Sequence, residues 1–216
     1  MPNLQQPGLV VFDMDSTLIT IECIDELAGL VGKKPQVSAV TAAAMRGELD
    51  FAASLRARVA LLEGVQEQAL QQLFEPIPLS HGAAELIQWF RAQGWHTAVV
   101  SGGFTWFTER LAASIGLDAH LANQLEWHAG QLTGSVTEPI VDGTRKAVFL
   151  KELAQQWSIP LSNTIAVGDG ANDIEMLRAA GFGVAYCAKP ALREVADVSI
   201  DTPDLMLLPK HLNALA

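Results

Sequence analysis

The sequence contains few of the residues that mark secreted proteins. Two cysteines among 216 residues, Cys23 and Cys187, are too few for a disulfide framework or a cysteine-rich metal site. The first residues, MPNLQQPG, have neither the positively charged start nor the apolar core of a signal peptide. We therefore expect free thiols and a cytoplasmic protein.

Long apolar runs and basic stretches are also missing. No apolar run approaches the roughly 18 residues needed to cross a bilayer, so we expect no membrane association. The net charge is −10 and there is no Lys/Arg-rich stretch, which argues against nucleic acid as a partner. Because an acidic chain repels anions, a phosphate-bearing substrate would need a few placed cations and helix N-termini to hold it.

The order of the predicted elements indicates an α/β fold. Short apolar runs at 9–13, 96–100, 164–167 and 182–186 are typical of buried strands, and 119–141 has a β-like pattern. Strands that alternate with helices predict a Rossmann-like parallel sheet with helices on both faces. The predicted helices lie at about 22–31, 35–47, 51–63, 66–75, 81–93, 144–157 and 172–180, with another ending near 115.

One stretch departs from this alternation. From about residue 22 to 75 there is no strand pattern, only four helical segments, and Pro76-Ile77-Pro78 then ends the stretch. We interpret residues 20–76 as a small helical cap domain inserted after the first strand. Residues 1–19 and 77–216 would form the catalytic core.

Acidic and glycine-rich segments follow three of the predicted strands, namely DMDST at 13–17, SGG at 101–103 and GDGAND at 168–173. In a parallel sheet these strand ends meet at one edge, where open α/β sheets bind ligands. Four carboxylates would then converge, although the first lysine of the chain is Lys33. Like charges raise one another's pKa, and a hard cation such as Mg²⁺, which binds carboxylates, water and phosphate oxygens, would neutralise them.

The residues at these strand ends suit phosphate chemistry. A carboxylate can attack phosphorus, and alternate residues of an extended strand point the same way, so Asp13 and Asp15 can face one substrate. Ser101 and the neighbouring glycine amides can hold phosphoryl oxygens, and Lys146 is a candidate to balance them. Each feature alone has an ordinary alternative, a turn for the aspartates or an exposed helix position for the lysine.

Taken together, the motifs resemble those of the haloacid dehalogenase superfamily of phosphatases. The segments FDMDSTLITIECIDELA, FAASLRARVALLEG, SGGFTWF and VGDGANDIEML are similar, in order, to those of its phosphoserine phosphatase branch. The resemblance covers about residues 9 to 200. It implies Mg²⁺-dependent hydrolysis of L-phosphoserine to L-serine and phosphate through an aspartyl-phosphate, the last step of serine biosynthesis.

The resemblance also implies a role for individual residues. Asp13 would be the nucleophile, and Asp15 would protonate the leaving seryl oxygen and later activate water. The metal ligands would be Asp13, the main-chain carbonyl of Asp15, and Asp169, supported from behind by Asn172 and Asp173. The phosphate would be held by Ser101, Gly102 and Lys146. The substrate would contact four cap residues, Glu22 and Arg56 through its charges and Met45 and Phe51 through the pocket walls.

Other functions stay open at this point. The same fold could serve another small phosphate ester, or transfer the phosphoryl group to an alcohol such as homoserine. A signalling module phosphorylated on Asp13 is a third interpretation, but a helical block of roughly 50 residues suits the enclosure of a small substrate better. Many relatives carry an extra N-terminal regulatory domain, whereas about eight residues precede the first strand here, so the resemblance implies no such regulation for this chain.

Overall fold

A computed structural model describes residues 2–214, with side chains to residue 212. Seven strands form one sheet in the order β4-β3-β2-β1-β5-β6-β7, and neighbouring strands are parallel except for the β3–β4 hairpin at one edge. The predicted α/β fold with its Rossmann-like core is thus confirmed, with one antiparallel edge strand added. The strands are β1 (Leu9–Phe12), β2 (His96–Phe104), β3 (Ala119–His128), β4 (Gln131–Thr137), β5 (Thr164–Gly168), β6 (Phe182–Tyr186) and β7 (Val198–Ile200).

The first four helices, α1 to α4, follow one another between β1 and β2. Within residues 2–214, none of the helices is both long enough and apolar enough to cross a membrane. The helices are α1 (Cys23–Leu30), α2 (Lys34–Met45), α3 (Phe51–Ala60), α4 (Glu67–Phe74), α5 (Ala83–Ala92), α6 (Thr105–Ile115), α7 (Gly143–Gln156), α8 (Ile174–Ala179), α9 (Pro190–Arg193) and α10 (Leu208–Ala214).

The central strand β1 shows why helices cover both faces of the sheet. Its four residues are apolar and completely buried. Because successive side chains of a strand point to opposite faces, Val10 and Phe12 pack in one core cluster, while Leu9 and Val11 pack in the other. In the first cluster Phe12 meets Phe90 of α5 edge to face, with ring centroids 6.4 Å apart.

The helical insertion is joined to the core by two adjacent segments. The amide of Thr20 donates to the carbonyl of Pro78 at 2.9 Å, and the amide of Ser80 donates to the carbonyl of Leu18 at 2.9 Å. The insertion also meets the β3–β4 hairpin, where Leu132 exchanges backbone hydrogen bonds with residues 64 and 65. The exact domain bounds, 20–76 for the cap, stay a prediction.

Candidate active site

A cavity of about 460 Å³ lies between the helical insertion and the carboxyl ends of β1, β2 and β5. A volume of this order suits a small metabolite. The insertion contributes Glu22, Ile24, Thr41, Ala44, Met45, Leu49, Phe51, Ser54, Leu55 and Arg58, and the core contributes Asp13, Asp15, Ser101, Gly102, Gly103, Phe104, Asp169, Ala171, Asn172 and Lys189.

Asp13 and Lys146 form a buried ion pair at the floor of this cavity. The backbone amide of Asp13 donates to the carbonyl of Val167, which fixes the residue at the end of β1. The completely buried Lys146 donates from Nζ to Asp13 Oδ1 at 2.6 Å and to Asp173 Oδ1 at 2.8 Å. Among the described residues, none makes a hydrogen bond to Asp13 Oδ2, so this oxygen remains free to react.

The buried charges of Asp13, Lys146 and Asp173 act strongly on one another. Burial, reinforced by the charge of Asp173, raises the pKa of Asp13 well above its usual range, although Lys146 opposes the shift. Burial alone would lower the pKa of Lys146, but the adjacent carboxylates of Asp13 and Asp173 outweigh it and raise that pKa. Lys146 is therefore a permanent cation in contact with Asp13, at the floor of the cavity.

Asp173 supports the site without facing a substrate. Its Oδ1 accepts from Lys146, and its Oδ2 accepts from the backbone amides of Asp169 and Gly170 at 3.2 and 3.1 Å. Gly168 makes this arrangement possible, because a Cβ there would lie 2.4 Å from the Asp173 carboxyl carbon. The Asp173 carboxylate thus orients the loop that carries Asp169.

Asp15 is held between the core and the first helix of the insertion. Its Oδ1 accepts from the amide of Cys23, the first residue of α1, at 3.1 Å, and its Oδ2 lies 3.4 Å from the Ser101 hydroxyl. Burial, together with the charge of Glu22, raises the pKa of Asp15 to about 6. A carboxyl with such a pKa can both donate and accept a proton near neutral pH.

The last residues of β2 leave a space that a side chain on Gly103 would fill. A Cβ on Gly103 would lie 2.8 Å from Asp15 Oδ2 and 3.0 Å from Ser101 Oγ. Buried Asn123, which was not among the predicted site residues, holds this end of β2 in place. Its Nδ2 donates to the carbonyl of Gly102 at 2.9 Å, and its Oδ1 accepts from the amide of Val141 at 2.7 Å.

A cluster of three carboxylates fits a metal ion. Asp13, Asp169 and Asp173 each offer an oxygen, and these oxygens lie within 4.8 Å of one another. Because both oxygens of Asp173 already accept hydrogen bonds, Asp13 and Asp169 are the better ligands and Asp173 the supporting residue. Burial, with the charge of Asp173, raises the pKa of Asp169 to about 6, and a hard cation would relieve that repulsion.

Three of the four predicted cap residues line the cavity. Glu22 accepts a hydrogen bond from the Ser16 hydroxyl at 2.6 Å, which orients its carboxylate. Phe51 closes over Gly102, and Met45 lies at the mouth with 82% of its surface exposed.

The prediction for Arg56 is wrong. Its side chain is 54% exposed and its guanidinium pairs with Glu138 on the surface, whereas Arg58 lines the cavity wall. Helical spacing explains the correction, because Phe51, Leu55 and Arg58 follow the i, i+4, i+7 pattern of a single helix face. That same spacing was present in the sequence and could have identified Arg58.

Arg58 is a partly buried cation near three carboxylates, which suits it to bind an anionic group. Burial lowers its pKa, while Asp25, Glu22 and Asp15 act in the opposite direction. Its Nε donates to the carbonyl of Ser54 at 3.3 Å, which leaves the end of the guanidinium for a ligand. Arg58 and Glu22 therefore present opposite charges to the cavity from the insertion.

A model of the family described as haloacid dehalogenase-like hydrolase matches residues 10–178. A phosphoserine phosphatase of Idiomarina loihiensis is 58% identical over 199 residues, which cover 92% of this chain and 90% of the relative. A phosphoserine phosphatase of Haemophilus influenzae is 48% identical over 207 residues, but this chain spans only 66% of that relative.

One similar solved structure bears on the chemistry. It is described as a phospho-aspartyl intermediate analogue of phosphoserine phosphatase. It superposes with a TM-score of 0.89 at 40% identity, over 95% of this chain and 99% of the other. A phosphorylated aspartate has thus been represented in a chain of this fold.

Proposed function

Because the chain belongs to the haloacid dehalogenase-like hydrolase family, we propose that it is a magnesium-dependent phosphatase that hydrolyses phosphoserine to serine and phosphate. The observation that carries this proposal is the pairing of Asp13 with Lys146 at the floor of a small cavity, with Asp15 beside it. The relatives from Idiomarina loihiensis and Haemophilus influenzae, both named phosphoserine phosphatase, support the choice of substrate.

In the first half of the reaction, Asp13 Oδ2 attacks phosphorus and forms an aspartyl-phosphate. The bond between phosphorus and the seryl oxygen breaks, and protonated Asp15 delivers its proton to that oxygen. The pKa of Asp15, about 6, keeps a useful fraction protonated near neutral pH. Ser101, Gly102 and Lys146 are the proposed groups that stabilise the charge developing on the phosphoryl oxygens.

In the second half, the Asp15 carboxylate takes a proton from water, and the resulting nucleophile attacks phosphorus. The bond between phosphorus and Asp13 breaks, phosphate leaves, and the Asp13 carboxylate is restored. Mg²⁺, for which Asp13, Asp169 and the Asp15 carbonyl are the proposed ligands, would supply neutralising charge next to the phosphate. Asn172, which lines the cavity beside Asp169, would support it.

Substrate choice would depend on the insertion. Phosphoserine offers a carboxylate and an ammonium besides its phosphate. We assign the carboxylate to Arg58, whose planar guanidinium can form two parallel hydrogen bonds, and the ammonium to Glu22. Their opposite charges and their common position on the cavity wall support this assignment.

A phosphate-release assay tests the proposal. The purified protein with Mg²⁺ should release phosphate from phosphoserine faster than from phosphoethanolamine, which lacks the carboxylate. EDTA should abolish release and Mg²⁺ should restore it, whereas Ca²⁺ should substitute poorly because it favours longer bonds and more ligands. Homoserine added as an acceptor should not compete with hydrolysis. Equal rates for the two esters would refute phosphoserine as the preferred substrate.

The cellular location is a separate proposal. Both cysteines are free thiols, Cys23 buried and Cys187 exposed. Free thiols are usual in the reducing cytoplasm, so we propose that the protein acts there on a small metabolite.

A further inference from the structure

Lys189 is a cavity residue without a role in the mechanism above. It lies between β6 and α9, and its amide donates to the main-chain carbonyl of Asp169 at 2.9 Å. Its side chain is 69% exposed, and its Nζ lies 4.0 Å from Asp169 Oδ2. The backbone therefore fixes Lys189 beside the carboxylate cluster, while its ammonium can move.

Lys189 is one of the few cations among the acidic residues that line the cavity. Four carboxylates line it, and the described lining residues include two cations, Arg58 on the insertion and Lys189 on the core. Lys146 lies beneath the floor and is paired with two carboxylates. In a chain of net charge −10, these carboxylates repel an approaching phosphate dianion unless cations offset them, and Lys189 is the cation that the core adds to the described lining.

We propose that Lys189 captures the phosphate group of the substrate at the cavity mouth and guides it toward Asp13. Its ammonium exchanges the contact with Asp169 for a contact with a phosphoryl oxygen. The exchange costs little, because the ion pair is long, at 4.0 Å, and water screens the charge of the 69% exposed lysine, although Asp169 is nearly buried. A lysine suits this task because its charge sits on a flexible stem. This proposal rests on the proposed function, since it takes a phosphate ester as the ligand.

Substitution at Lys189 tests the proposal at saturating Mg²⁺. Lys189→Met should raise KM about 3- to 10-fold and leave kcat nearly unchanged, as expected for a charge at the rim of a site. The rise should be similar for phosphoserine and phosphoethanolamine, because both carry the phosphate. The fall of kcat/KM with added salt should become shallower, and Lys189→Arg should restore much of the wild-type behaviour. Lys151→Met, at an exposed position of α7 outside the cavity lining, is the matched control and should change nothing.

Two results would overturn the proposal. One is an unchanged KM and salt dependence in Lys189→Met. The other is a fall in kcat at constant KM, which would place Lys189 in the chemical step. If the wild-type protein hydrolysed neither ester, the proposed function would fail first. Calorimetric titration with inorganic phosphate would then decide this proposal separately, since Lys189→Met must weaken phosphate binding while Lys151→Met must not.

Discussion

The Lys146 ammonium balances the charge of the buried residues at the cavity floor. It lies between Asp13 and Asp173, and all three side chains are almost fully removed from water. A buried charge that loses its partner is costly, whereas an exposed charge is not. We therefore expect the loss of Lys146 to affect both the charge state of Asp13 and the stability of the core around it.

We expect Lys146→Met to lower the free energy of unfolding by about 3–5 kcal/mol at pH 8, because two buried carboxylates lose their cation. The deficit should shrink as the pH falls. Burial already raises the pKa of Asp13, so in the folded variant this carboxyl binds a proton at a higher pH than it does in the unfolded chain. The free energy of unfolding of the variant therefore rises as the pH falls through that range. Urea unfolding between pH 8 and 5 measures both effects. Lys151→Met on the same helix should stay within about 0.5 kcal/mol of wild type; an equal loss in both variants would contradict the account.

Arg58 and Arg56 form a matched pair on α3, one facing the cavity and the other facing solvent. Arg58→Ala should lower kcat/KM for phosphoserine by roughly 30- to several-thousand-fold, since a truncated buried charge pair costs about 2–5 kcal/mol. The loss for phosphoethanolamine should be much smaller. Arg56→Ala removes an exposed pair worth at most about 1 kcal/mol and should leave kinetics almost unchanged. A larger effect of Arg56→Ala than of Arg58→Ala would refute the assignment.

The site residues that the sequence alone predicts are those whose position follows from the course of the backbone. Asp13, Ser101 and Asp169 lie at strand ends, so the parallel sheet alone predicts that they converge. The family resemblance implied Arg56, but Arg56 lies on the face of α3 that is exposed to solvent. Asn123 and Lys189 could not be predicted, because their contacts depend on how loops distant in sequence pack together.

At the scale of elements, two of the helices that carry residues of the site, α7 and α3, each begin with an aspartate cap. Asp142 caps α7, which carries Lys146, by accepting from the amide of Arg145 at 2.8 Å. Asp50 caps α3, which carries Arg58, by accepting from the amide of Ala53 at 2.7 Å. The two caps have the same local chemistry, but α7 lies beneath the floor of the cavity and α3 contributes to its wall.

We expect Asp142→Ala and Asp50→Ala each to lower the free energy of unfolding by about 1 kcal/mol, the usual loss for an N-cap. Their kinetic effects should differ. Asp142→Ala loosens the helix that holds Lys146 and should lower kcat for both esters. Asp50→Ala loosens the helix that holds Arg58 and should raise KM for phosphoserine more than for phosphoethanolamine. Thermal or urea unfolding together with steady-state kinetics measures the pair, and identical kinetic changes in the two variants would contradict this division.

Most elements were predictable because they are long and periodic or completely apolar. The four helices of the insertion and the strands β1, β2, β5 and β6 lie close to their predicted positions. The elements that were missed are the three-residue strand β7 and the helices α9 and α10. A strand of three residues has no measurable period, and its pairing with β6 depends on the rest of the sheet.

At the scale of the whole molecule, the strand order creates the site. β1 lies between β2 and β5, so the segments after these three strands meet at one edge. The helical insertion leaves the chain just beyond β1 and returns before β2, which places its inner face over that edge. One fold therefore places Asp13 on the core opposite an insertion wall that carries Glu22 and Arg58.

The central claim is that turnover proceeds through a phosphorylated Asp13. The direct measurement is to quench the protein rapidly with borohydride during turnover of phosphoserine and to determine the residue at position 13 by peptide mass spectrometry. Borohydride reduces an aspartyl-phosphate to homoserine, so the account predicts homoserine at position 13 in the wild-type protein. Asp13→Asn should show neither this conversion nor phosphate release. Unmodified Asp13 at every quench time, together with phosphate release by Asp13→Asn, would contradict the account.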